Sequence, residues 1–303
     1  MSSNQVVADN EFADVAGTLE GLGLKRDVPP TVQRRWVSVI TGGHVSGLSW
    51  GAGPAEIVLL HDARRSARAW DRPALALDLP ALALDLPGHG RSNWRRDGVY
   101  QPRKLAPAIA EAVRSFAPKT RVVVGRGLGA LTAIALTVRN PGLARGLILI
   151  DTLPGTAADV PAAGPTRFAS RDEALTWLRQ THPSAPPELL ADDVRHEAAE
   201  EDDGTWGWRH HLGNLPPERN GGLDDETLWD QIGAVAAGGV PVLVVRPGSG
   251  GRLTTPSLDE LSRRAPGAQV VTVAESAGIV EHDQPARLAD LIREFHSDTP
   301  QGS

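Results

Sequence analysis

At 303 residues the chain has room for one large α/β domain or two small ones. Its net charge of -6, from 31 Lys+Arg against 37 Asp+Glu, offers no basic face for nucleic acid. Cysteine is absent, which excludes disulfides, thiol nucleophiles and thiolate metal sites.

Residues 1–33 are mostly polar, with a short apolar pattern from Phe12 to Leu24, and read as a flexible arm carrying at most one helix. The first ten residues lack an apolar signal core, and no apolar run is long enough to span a bilayer. A soluble cytoplasmic protein with no membrane partner is the expectation. Arg35–Ile40 and His44–Trp50 alternate like a half-buried hairpin around Gly42-Gly43. Glu56–His61 is a continuous apolar run suited to a strand covered on both faces. The heptapeptide ALALDLP then occurs twice, at Ala74 and at Ala81, first in a helix pattern and then in a strand pattern. Leu105–Phe116 is helical by period. Arg121–Val124 is a third buried strand, Leu128–Arg139 its helix, and Gly146–Asp151 a fourth strand. Strands alternating with helices of this length imply a parallel sheet. From 154 to 239 the pattern breaks into a stretch rich in Pro, acid, His and Trp, read as an inserted cap. Sheet logic resumes at Pro241–Arg246, continues through helix Ser257–Ala265 and strand Gln269–Val273, and closes with helix Pro285–Phe295. The core is therefore assigned to 34–153 and 240–296, the cap to 154–239, and a flexible tail to 297–303.

The segment Arg121-Val-Val-Val-Gly-Arg-Gly-Leu-Gly-Ala130 has the shape of the G-x-S-x-G elbow, in which a strained strand-to-helix turn presents a nucleophile. Here residue 127 is glycine. Several further signatures stand in order around it. His61 ends a strand, Trp70 follows, Asp85-Leu-Pro-Gly-His-Gly-Arg-Ser92 forms a glycine-rich loop, Asp151 ends the next strand, and Asp283-Gln-Pro285 opens the last helix. From about Arg35 to Phe295 the chain resembles the α/β-hydrolase superfamily. The resemblance implies an α/β-hydrolase fold: a mostly parallel central sheet flanked by helices, with a helical cap insertion. It also implies a nucleophile at the Gly127 position, an acid after the strand ending at Arg246, and a histidine after the last strand. The acid loop reads Pro247-Gly-Ser-Gly-Gly-Arg252, the histidine position falls on Gly278, and His61 is followed by Asp62, Arg64 and Arg65 instead of a glycine run.

On these departures the sequence reads as a pseudoenzyme, a degenerate member lacking the Ser-His-acid triad. Serine attack needs a base, and the base needs an orienting carboxylate. The expected function is a small-molecule pocket serving cyclisation, isomerisation or elimination. A sensor or partner-binding protein, or weak hydrolysis by water activated at Asp151 or a cap histidine, remain as alternatives. Asp151 and His61 are the catalytic candidates. The ligand-binding candidates are Asp62, Arg64, Arg126, Gly127, Leu128, Trp206, His210, Gly251 and Gly278. The N–H groups that open the helix at Leu128, with the nearby arginines, suit an anionic small molecule. The side-chain-free positions 127, 251 and 278 are expected to leave room for it. His210-His211 has no third ligand in sequence, so no metal is expected, and no cofactor. Gly125-Arg-Gly-Leu-Gly-Ala130 also fits a dinucleotide fingerprint with Asp151 about 20 residues on. The strands that precede it make a nucleotide the remote alternative.

Overall fold

The computed structural model describes residues 11–24, 30–156, 164–183, 185–215 and 225–300. The remaining parts of the arm, the cap and the tail lie outside the described residues. Helix α1 (Val15–Gly21) precedes the sheet strands β1 (Val32–Ser38), β2 (His44–Trp50) and β3 (Ile57–Leu60). After a 3₁₀ turn at Ala67–Trp70 come α2 (Asp71–Leu77), β4 (Ala81–Leu84), α3 (Pro102–Phe116), β5 (Val122–Arg126), α4 (Leu128–Arg139) and β6 (Gly146–Ile150). The inserted stretch holds β7 (Arg167–Phe168), α5 (Arg171–Thr181), α6 (Pro187–Glu197), β8 (Ala198–Glu200) and β9 (Trp206–Trp208). The chain closes with α7 (Asp225–Ala237), β10 (Val242–Pro247), α8 (Thr255–Arg264), β11 (Gln269–Val273), the short α9 (Val280–Asp283) and α10 (Pro285–Asp298).

Eight strands form one sheet in the order β1-β2-β4-β3-β5-β6-β10-β11. The β1–β2 and β2–β4 pairs are antiparallel, and every pair from β4 to β11 is parallel. The strands carry continuous apolar runs because both faces are covered. In β3, Val58 and Leu60 join the cluster under α3, α4 and α7, while Ile57 and Leu59 join the cluster under α2 and α10. Each such side chain contributes about 1.5–3 kcal/mol on burial. None of the described helices is long and apolar enough to cross a membrane.

Three differences from the sequence reading have physical causes. Val15 and Leu19 of α1 are buried against the α2 side of the core, so residues 11–24 are packed and not a loose arm. The insertion is not purely helical: β7, β9 and β8 form a small antiparallel sheet over Phe168, Val194 and Trp208. Helix α7 places Leu228, Trp229, Ile232 and Val235 in the main apolar cluster, so it is a crossover helix of the core.

Candidate active site

The site is built at the carboxyl ends of β3, β5 and β6, beneath the insertion. β5 ends in Arg126, and the chain turns sharply through Gly127, whose φ of 51° and ψ of -124° suit a residue without a Cβ. The helix must start close to β3, and Gly129 permits this because a Cβ there would strike the Leu60 carbonyl. The N–H of Gly127 is held by Thr152 Oγ1 at 2.7 Å. The elbow backbone is therefore intact.

The space beside Gly127 is not empty. A Cβ built on residue 127 would fall on Asp62 Oδ1. The Asp62 carboxylate, from the loop after β3, fills the slot that an elbow side chain would take. Its Oδ1 accepts from the N–H of Ala63 at 2.7 Å and from the N–H of Leu128 at 3.2 Å. Its Oδ2 pairs with Arg252 Nη1 at 2.7 Å. Burial pushes this carboxyl up, but the guanidiniums of Arg252 and Arg126 outweigh burial and hold it below the ordinary carboxylate range. Asp62 is an anion at neutral pH.

Position 251 is also closed, since a Cβ there would meet Asp151 Oδ1 at 2.8 Å and Pro247 Cγ at 2.8 Å. The expected open line across 127 and 251 is thus filled by two aspartates, one in each gap. At Gly278 a Cβ would meet only the Gly250 carbonyl, at 3.3 Å, but φ is 140°. Asp151 is buried with a strained φ of 45°. Its two oxygens accept from the N–H of Arg252 at 2.9 and 3.1 Å. Burial raises its pKa in spite of that bond. His61 is fully enclosed. Its Nε2 accepts from the N–H of Leu86 at 2.9 Å, and its Nδ1 lies 2.6 Å from the Asp62 carbonyl. Burial lowers its pKa to about 4, so it is neutral and braces two loops.

A cavity of about 370 Å³ opens above Asp62. Of the residues expected at a site, Asp62, Arg64, Arg126 and His210 line it. Asp151, His61, Gly127, Leu128, Trp206, Gly251 and Gly278 do not, although Asp62 bonds Leu128 directly. Trp206 instead lies under the Arg171 guanidinium, 4.4 Å from its ring centre. The upper wall is apolar, made by Trp177, Leu178, Leu189, Leu190 and Trp208. The floor adds Arg65, one of the arginines the sequence places beside the elbow, and Asp193, Glu197 and Glu281, which the sequence does not place on the site.

These floor charges are paired. Arg126 is buried and donates through Nη1 to both oxygens of Glu281 at 2.7 Å and through Nη2 to the Gly278 carbonyl at 3.0 Å. Arg65 pairs with Asp193 at 2.9 Å. Glu197 accepts from the Ser66 hydroxyl at 2.7 Å, and burial pushes its pKa up to about 8, so it keeps its proton at neutral pH. The cavity thus joins an ionised carboxylate, a protonated carboxyl and arginine charge beneath an apolar roof. Such perturbed pairs mark acid–base sites. The signal for Asp62 was available in sequence as two changes that compensate each other: a side chain lost at 127, and one gained at 62, where the resemblance implies a glycine run after β3.

A profile of the alpha/beta hydrolase family matches residues 57–291. Esterase Rv0045c of Mycobacterium tuberculosis is 33% identical over 306 aligned residues, 97% of this chain and 98% of that protein. The crystal structure of that esterase superposes with a TM-score of 0.82, at 34% identity over 94% of this chain and 96% of the other. The 2-(acetamidomethylene)succinate hydrolase of Mesorhizobium japonicum is 26% identical over 219 residues, 69% of this chain and 75% of that enzyme. These likenesses overturn one expectation. The pseudoenzyme reading, with its cyclase, isomerase, lyase and sensor variants, treats Gly127 as the end of hydrolysis. An esterase similar over nearly the whole chain points to hydrolysis instead. The losses at 127, 247–252 and 278 do not leave the elbow bare, because the Asp62 carboxylate fills the slot beside Gly127.

Proposed function

The chain belongs to the alpha/beta hydrolase family, and from that membership we propose that it hydrolyses carboxylic esters with water as the nucleophile and Asp62 as the base. The likeness to an esterase supports the reaction class. The observation that carries the route is the Asp62 carboxylate in the slot of the missing elbow side chain. Residue 127 supplies no nucleophile, so the attacking oxygen comes from solvent.

Water adds to the ester carbonyl carbon as Asp62 takes its proton, and the carbonyl electron pair moves onto oxygen. Asp62 itself holds the N–H groups of Leu128 and Ala63. The developing charge therefore falls to Arg65 and Arg126, whose fixed positive field lines the same cavity. Collapse breaks the bond to the alkoxide, which takes the proton still held by Glu197. The products are an acid and an alcohol, and proton exchange with solvent restores both carboxyls. The apolar roof of Trp177, Leu178, Leu189, Leu190 and Trp208 suits an acyl or aryl group of modest size.

The test uses the purified protein with p-nitrophenyl esters from acetate to octanoate. Asp62→Asn should lower kcat by about 10²–10⁴-fold, the usual contribution of a general base, with little change in KM. A single turnover in ¹⁸O-water should put the label in the product acid and none in Asp62. A fluorophosphonate probe should leave the protein unlabelled. Full activity in Asp62→Asn, or covalent labelling by the probe, would remove this reading.

A further inference from the structure

A second cavity of about 450 Å³ lies behind the first, on the other side of the Ser66–Glu197 contact. Its walls come from the chain before α1, from β1, from the 3₁₀ turn after β3, from the loop after β4, from α5 and α6, and from Arg209 just after β9. Six arginines line it: Arg34, Arg68, Arg91, Arg171, Arg195 and Arg209. Among the described residues only three carboxylates share that lining, those of Glu11, Asp14 and Asp85. Six positive against three negative leaves the lining positive, although Arg195 also pairs with Asp192 at 3.4 Å and Arg68 with Asp71 at 2.8 Å just outside it.

The carboxylates are already committed. Asp85 holds Arg34 Nη1 at 2.6 Å, and Asp14 holds Arg68 Nη2 at 2.8 Å through both oxygens. Glu11 binds Arg34 closely and reaches Arg91 only at 3.7 Å. Arg209 is half-buried, and its guanidinium has neither a hydrogen bond nor an ion pair among the described residues. Arg91 and Arg34 oppose its charge while Glu197 and Glu11 favour it, and burial together with Arg91 outweighs the acids and lowers its pKa. A half-buried guanidinium facing other guanidiniums is costly unless an anion neutralises it. Arg171, stacked on Trp206, closes the rim.

We propose that this second cavity binds a small phosphorylated molecule, with Arg209, Arg91 and Arg171 holding its phosphate oxygens. The guanidinium fork matches phosphate oxygens in pairs. Arg209, Arg91 and Arg171 have no carboxylate closer than 3.7 Å among the described residues, and three such guanidiniums match a pyrophosphate or a pair of phosphoryl groups better than a lone carboxylate. The volume has room for the organic part of such a molecule. The site is separate from the ester cavity, although Ser66 and Glu197 form a common wall.

The experiment is calorimetric titration of the whole protein with inorganic pyrophosphate at constant ionic strength. Inorganic phosphate and citrate serve as parallel titrants. Pyrophosphate should bind at one site, more tightly than either, and more weakly as salt rises. Arg209→Gln should weaken it about tenfold to hundredfold, the loss expected for charge-assisted hydrogen bonds. Without ligand, Arg209→Gln should melt no lower than the wild type, because it relieves repulsion. Arg91→Gln, at a more exposed position, should also weaken binding, and Asp62→Asn should bind as the wild type does. No pyrophosphate heat above a matched sodium chloride control would overturn the proposal. Equal binding by Arg209→Gln would do the same. Citrate binding as tightly as pyrophosphate would overturn the phosphate assignment.

Discussion

A Cβ at residue 127 and the Asp62 carboxylate claim one volume, so the two positions are coupled. Gly127→Ala must either expel Asp62 from the N–H groups it holds or move the elbow. The methyl also meets a φ of 51°, a strain on the order of 1–3 kcal/mol for a residue with a Cβ. The expected outcome is a loss of roughly that size in chemical denaturation, with activity falling to the level of Asp62→Asn. Gly127→Ala combined with Asp62→Ala should cost less than the two single losses added, because the clash disappears. Simple additivity would show that the two side-chain volumes do not meet in solution. The elbow itself was legible because strand, glycines and helix are contiguous in sequence. Its occupant was not, because Asp62 arrives from another strand, and only the paired change at 62 and 127 hints at the overlap.

At the scale of elements, the repeated ALALDLP shows what local sequence leaves open. The copy beginning at Ala74 lies largely in α2, and the copy beginning at Ala81 supplies β4. Identical propensities give a helix where the chain follows a 3₁₀ turn, and a strand where β2 and β3 await a partner. The motif-bearing loops and parallel strands could be read because each is short and continuous. The partners of the floor charges could not, because they join elements remote in sequence. The pair of Arg126 at the end of β5 with Glu281 in α9 is the clearest case. It ties the elbow strand to the segment that follows β11. Glu281→Ala leaves the Arg126 charge buried and alone, and should cost about 3–5 kcal/mol. Replacing both by apolar residues, Arg126→Met with Glu281→Leu, should recover much of that. Urea unfolding of the three variants measures it, and a loss below 1 kcal/mol in Glu281→Ala would mean that the pair is loosely held in solution.

For the whole molecule, Glu197 links stability to pH. Its folded pKa of about 8 lies above the ordinary value of 4.5, so the folded chain binds this proton more tightly than the unfolded chain. Stability from this group is therefore full below about pH 4.5 and declines as pH rises toward 8. Glu197→Gln removes the dependence. Its melting temperature should match the wild type near pH 5 and exceed it by on the order of 5 °C at pH 8.5. A constant difference across that range would place the group in solvent. The proposed ester hydrolysis should fall over the same upper limb as Glu197 loses its proton. The overlap of Asp62 with position 127 also bears on the history of such a chain. Putting serine back at 127 alone sets its side chain on a carboxylate, and removing Asp62 alone empties the slot. The first step crowds hydroxyl and carboxylate into one volume and the second leaves neither group, so a working elbow hydroxyl requires both changes together.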